Sequence, residues 1–123
     1  SAGNSSIILT ERGTCFGYRD LVVDPRSFAI MKSFGHPVIF DAGHSIRKYG
    51  IPSSDPNGGT KQFLPTLMMA CAAADLSGLF IEVHPDPKNA LCDAASQLSF
   101  DEAGRLITKY FKIAKFVREL KNS

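Results

Sequence analysis

The sequence has 123 residues, enough for one domain that buries roughly two thirds of its unfolded surface. Its 44% hydrophobic and 21% charged residues are ordinary for a globular chain, and a net charge of +2 points to neither nucleic acid nor membrane as a partner. No apolar run reaches the ~18–20 residues that span a bilayer; the start lacks the apolar stretch of a secretory leader, and three widely spaced cysteines without a CxxC suit reduced thiols in a cytoplasm.

The first apolar run, residues 7–13, reads as a β-strand ending in Glu11, Arg12 and Gly13, with a loop over 13–17. Asp24-Pro25 then reads as the N-cap and first residue of a helix, because proline lacks only an N–H that the first turn leaves unpaired. That helix presents Phe28, Ile30, Met31 and Phe34 and stops at Gly35. Pro37 opens a second strand, which ends in Asp41, Gly43 and His44.

Residues 45–59 hold Pro52, Pro56, Asn57, Gly58 and Gly59 without periodicity, which suits a lid or binding loop. A helix is expected from about 60 to 74, ending in small residues that allow close approach to a sheet. The third strand runs from Gly78 towards Glu82 and His84, and the two prolines of His84-Pro85-Asp86-Pro87 force a turn. Ser99 and Glu102 form a capping box for a last helix, with Ala103, Leu106, Ile107, Tyr110, Phe111, Ala114, Val117 and Leu120 on one face. Lys109, Lys112, Lys115 and Arg118 fall mostly on the other, as a solvated face.

Three strand–loop–helix units in series build a parallel sheet. Each strand carries its chemistry at its C-terminal tip, where the tips of a parallel α/β enzyme converge on one site. His44, Glu82 and Asp93 form a candidate metal set, since imidazole plus carboxylates suits borderline divalent ions and leaves positions open for water or substrate. Their spacing makes no compact motif, and Asp93 reads more simply as a loop carboxylate or turn former. Arg12 is the natural anion clamp, its alternative being an ion pair with Glu11 or Asp41. Asp41 reads as orienting a ligand or as a buried ion-pair partner. Gly58-Gly59-Thr60 reads as an anion-binding helix start or, more simply, a hinge with an N-cap. His36 reads as structural, His84 as a turn residue or a support for Glu82, and Cys15 and Cys92 as packing thiols.

Four blocks together resemble 3-deoxy-D-manno-octulosonate-8-phosphate synthases. They are Leu9-Thr10-Glu11-Arg12-Gly13 with Phe16-Gly17-Tyr18, then Leu21-Val22-Val23-Asp24, then Phe40-Asp41-Ala42-Gly43-His44-Ser45, then residues 79–87 around Glu82. Heptulosonate-phosphate synthases share the logic of the first and third blocks but not the set. The resemblance implies an α/β fold that is the C-terminal part of a (β/α)8 TIM barrel, strands six to eight with their helices. Residues 1–123 would then be a partial barrel domain without the five N-terminal βα units, inactive by itself.

The implied reaction condenses phosphoenolpyruvate with arabinose 5-phosphate and water, releasing phosphate, in lipopolysaccharide sugar synthesis. By resemblance Arg12 clamps the phosphoenolpyruvate phosphate, and His44 lies beside that substrate and ligates a divalent metal (zinc, iron, manganese or similar) with Glu82 and Asp93. Asp41 joins Arg12 and His44 among the catalytic residues, and residues 45–59 become the mobile strand-seven loop. The family also has a metal-independent branch. Cys92 leans towards that branch while Ala94 and Ala95 depart from its usual Gly-Pro, so metal use stays open. Residues 47–56 depart from the family's glycine-rich loop. A cytoplasmic homotetramer is the implied assembly. The alternatives are a heptulosonate-phosphate synthase relative and a non-catalytic assembly segment.

Overall fold

The computed structural model describes residues 3–14 and 20–123, so Cys15 and the Phe16-Gly17-Tyr18 block lie outside the described residues. Three short strands, β1 (Leu9–Glu11), β2 (Val38–Asp41) and β3 (Gly78–Phe80), form a parallel sheet in the order β1-β2-β3. Leu9 pairs with Val38 and Ile39 with Gly78, which brings Glu11, Asp41 and Phe80 to the same end. The helices are α1 (Pro25–Lys32), α2 (Leu64–Ala72) and α3 (Phe100–Lys121).

Local chemistry accounts for the helix starts. The Asp24 side chain accepts from the Arg26 amide with Pro25 behind it, and Ser99 and Glu102 close a reciprocal capping box. The helix expected from residue 60 begins instead with a 3-10 turn, Lys61–Phe63, and becomes α-helical at Leu64. Pro65 has no N–H to donate to Lys61, so the first α-helical bond cannot form one turn earlier. Thr60 makes no side-chain cap; its hydroxyl donates to the Ile46 carbonyl.

Alternation along β2 sends Val38 and Phe40 into a core shared with Phe28 of α1, Leu64, Met68 and Ala72 of α2, and Ala103, Tyr110 and Ala114 of α3. Phe28 meets Phe40 edge to face, ring centroids 6.1 Å apart. Burying one such side chain contributes roughly 2–3 kcal/mol. At the far end of α2, Arg118 of α3 donates two hydrogen bonds to Asp75, clamping α3 against α2.

The strands are shorter than the apolar runs suggest. Ile7 and Ile8 precede the first paired residue of β1, and β3 ends at Phe80 rather than near residue 84. Beyond Phe80 the chain is held by Leu98 instead: the Leu98 amide donates to the Glu82 carbonyl, and the His84 amide donates to that of Leu98. Both outer strands, β1 and β3, are edges of the described sheet.

Candidate active site at the C-terminal end of the sheet

The site is assembled from the segments that leave the three strands. Glu11, at the tip of β1, is 4% exposed and accepts from the Gly13 amide at 2.6 Å and from the Ser27 hydroxyl. It is thus tied to α1, and the Glu11–Arg12 pair considered above is not formed. Gly13 holds φ +93°, and a Cβ there would meet Leu21 Cβ at 2.9 Å, so the turn after Arg12 requires glycine. Arg12 projects outward and makes no ion pair among the described residues.

At the tip of β2 the Asp41 carboxylate is buried and serves His44 twice. It accepts from the His44 amide at 3.0 Å and lies 2.8 Å from the imidazole Nδ1. A carboxylate can only accept, so it places the ring proton on Nδ1 and leaves the Nε2 lone pair free. This Nε2 lies 4.0 Å from Asp93 Oδ2. Asp41 thus engages His44 at both its amide and its ring.

Glu82 follows β3 by two residues and is oriented by the Leu98 bonds described above. One of its carboxylate oxygens, Oε2, is buried with no hydrogen-bond partner among the described residues. Such an orphan costs about 1–3 kcal/mol unless something unseen satisfies it. Asp93 adopts φ +51°, and its carbonyl accepts from the Ser96 and Gln97 amides. One donor atom each from His44, Glu82 and Asp93 lie within 4.8 Å of one another. An imidazole nitrogen and two carboxylate oxygens at that separation, one of them orphaned, have the composition and spacing to hold a divalent cation.

Next to this cluster is an open cavity of about 400 Å³ whose lining includes Arg12, Leu21, His44, Arg47, Lys48 and Asp93. Three cationic side chains against one carboxylate give it a net positive lining, which favours anions. Two of those cations, Arg47 and Lys48, were not singled out in the sequence. The Arg47 guanidinium Nε lies 3.4 Å from Asp93 Oδ1. One cue was available: Arg47 is three residues from His44, and a 3-10 turn eclipses positions i and i+3. That turn, His44–Ile46, is present.

Other candidates fall outside the cluster. The Gly58 and Thr60 amides donate to Asp55 and Ile46 carbonyls, so those two are not free for an anion. His84 Nδ1 closes a local turn with Asp86. Cys92 is exposed, its thiol raised above the usual range by desolvation and then by the Asp93 and Glu82 charges. A Cβ on Gly59 would sit 2.9 Å from the Ala95 carbonyl oxygen and 3.1 Å from Ala95 Cβ. The base of the 45–59 loop is thus seated against the Asp93 turn. No described helix is long and apolar enough to cross a membrane.

Comparison with known proteins identifies the family and the fold. The DAHP synthetase I family matches residues 1–118. The 2-dehydro-3-deoxyphosphooctonate aldolase of Desulfotalea psychrophila is 44% identical over 118 residues, 96% of this chain and 42% of that protein. The protein of the same name from Syntrophotalea carbinolica is 46% identical over 118 residues, with the same coverage of 96% and 42%. A solved phospho-2-dehydro-3-deoxyheptonate aldolase (DAHP synthase) from Thermotoga maritima superposes with a TM-score of 0.76 at 28% identity, over 94% of this chain and 32% of its own. The chain thus spans about two fifths of the length of these curated relatives. Its three βα units are a partial barrel sheet with its helices, consistent with the C-terminal end of a TIM barrel.

Proposed function

Because this chain belongs to the DAHP synthetase I family, we propose that it supplies strands six to eight of a 2-dehydro-3-deoxyphosphooctonate aldolase. The proposed reaction condenses phosphoenolpyruvate with arabinose 5-phosphate and water to give 3-deoxy-D-manno-octulosonate 8-phosphate and phosphate. In this reading five further βα units complete the barrel, and the assembly is a cytoplasmic homotetramer serving lipopolysaccharide sugar synthesis. One observation carries the reading: Arg12, His44 and Asp93 line one cavity at the C-terminal end of the sheet, and Glu82 joins His44 and Asp93 in the cluster beside it.

Each residue then has a chemical task. Arg12, charged at every working pH and unpaired among the described residues, grips the phosphate of phosphoenolpyruvate through its planar fork. His44 lies on the cavity wall, with its Nε2 4.0 Å from the Asp93 carboxylate. Asp41 keeps the proton on Nδ1 so that Nε2 stays a donor of electrons. His44, Glu82 and Asp93 would hold the divalent cation, and zinc, iron and manganese all suit one nitrogen and two oxygens. Such an ion supplies Lewis acidity towards the aldehyde or orients a water. The 45–59 loop excludes water from the reacting carbons.

The test is Arg12→Ala in the complete enzyme. KM for phosphoenolpyruvate should rise at least about tenfold, from the loss of charge-assisted bonds worth ~1.5–3 kcal/mol. An unchanged KM would refute the assignment of Arg12. Turnover of arabinose 5-phosphate over erythrose 4-phosphate supports this reading against a heptulosonate-phosphate synthase, and the reverse preference overturns it.

A further inference from the structure

We propose that Arg47 is a cationic placeholder: it neutralises Asp93 while no cation is held there, and passes to the anionic substrate when one binds. The inference rests on the reading that His44, Glu82 and Asp93 hold a divalent cation. Three observations carry it.

First, the Arg47 backbone is fixed while its side chain reaches inward. Its amide donates to the His44 carbonyl at 3.1 Å, and the Lys48 amide donates to the Gly58 carbonyl at 2.8 Å. The side chain is only 13% exposed, on the wall of the cavity that also holds Arg12 and Lys48. Second, the guanidinium is divided between two duties. Nε lies 3.4 Å from Asp93 Oδ1, whereas Nη1 and Nη2 reach the Ser53 and Ile51 carbonyls at 3.4 and 3.3 Å. All three contacts are long, so the arm is held loosely and is cheap to move. Third, the cation claims the same carboxylate. Asp93 Oδ2 belongs to the cluster face 4.0 Å from His44 Nε2, and Oδ1 faces Arg47.

Two cations cannot share one carboxylate without mutual repulsion, and the guanidinium, on a flexible arm, is the one free to leave. The adjacent anion site, already lined by Arg12 and Lys48, gives it a destination. Cation binding and anion binding are then coupled, and by linkage each must tighten the other. Arg47 is thus a positioning residue that couples the cation site to the anion site and ties both to the 45–59 loop.

The experiment measures Mn²⁺ affinity by electron paramagnetic resonance for the wild-type protein, Arg47→Gln and Arg47→Lys, with and without inorganic phosphate at submillimolar concentration. Arg47→Gln should bind Mn²⁺ about tenfold more tightly without phosphate, having lost the competing charge. Phosphate should tighten Mn²⁺ binding in the wild type and leave Arg47→Gln nearly unaffected. Arg47→Lys should keep wild-type Mn²⁺ affinity, since the charge remains, but exchange the amides of residues 48–57 faster once the fork is gone. If wild type and Arg47→Gln bind Mn²⁺ equally, or gain equally from phosphate, the placeholder role is overturned while the metal reading stands. If neither protein binds Mn²⁺, both fall.

Discussion

Asp41→Asn isolates the orientation of His44 from the rest of the site. The substitution keeps size and shape at a position 6% exposed. One amide oxygen can still accept from the His44 N–H, now made at 3.0 Å. The other position becomes an NH₂ donor where a carboxylate oxygen lies 2.8 Å from Nδ1. Two donors cannot face each other, so the imidazole moves its proton to Nε2 or swings away. Either response removes the lone pair from the cluster shared with Glu82 and Asp93. Loss of such a supporting carboxylate costs about 10–100-fold in metal affinity, or about 1.4–2.7 kcal/mol. Calorimetric titration with Co²⁺ measures this, with visible absorption reporting the ligand set. A Kd for Asp41→Asn within twofold of wild type would refute the tautomer assignment. A thermal-stability comparison separates this from unfolding, because the retained amide contact predicts a small change in melting temperature.

Three further expectations follow from the packing. Tyr110 is fully buried with a hydroxyl lacking a hydrogen-bond partner among the described residues, and burial chiefly, with the Cys71 and Asp75 charges, pushes its phenol up to about 12. Tyr110→Phe should therefore stabilise by about 1 kcal/mol in urea denaturation, and a loss of that size would reveal a partner for the hydroxyl. Glu102 is held down to about 2, against an ordinary 4.5, first by the Ser99 amide and then by Lys61 and the Ser99 hydroxyl. A depressed carboxyl stabilises the fold above pH 4.5 and loses that contribution as pH falls towards 2. Its side chain is 39% exposed, so solvent screening limits the contribution to about 1 kcal/mol. The stability gap between wild type and Glu102→Gln should narrow over that interval; a constant gap would contradict the assignment. Finally, the described sheet has two unpaired parallel edges, and Ile8 and Phe80 are 62% and 42% exposed. The 123-residue polypeptide by itself should associate in analytical ultracentrifugation, and a stable compact monomer would oppose that expectation.

Much of the architecture was legible because local rules and tertiary demands agree. Asp24-Pro25 and the Ser99–Glu102 pair encode helix starts through chemistry confined to a few residues. Strand identity was equally plain, but strand length was not. Ile7 and Ile8 have the apolar pattern of a strand yet lie before the pairing with β2 begins, and pairing depends on a distant segment. Glu82 was legible as a tip residue although β3 ends two positions earlier, since the Leu98 bonds that continue its path come from far along the chain. The cluster of His44, Glu82 and Asp93 could be named but not measured, because its members come from two strand exits and a turn. Arg47 was missed for a different reason: its spacing from His44 hints at a shared face, but its carboxylate partner lies 46 positions later and no local rule points to it.

The close approach of Gly59 to Ala95 locks the loop's root to the turn that carries Asp93. A side chain at 59 would have to displace that turn's backbone, whichever residue stands at 95. Within the loop, Gly50 at φ +76° is a second position where a side chain would be strained. Related chains should therefore keep glycine at the position of Gly59, so that the acid beneath the loop stays where chemistry requires.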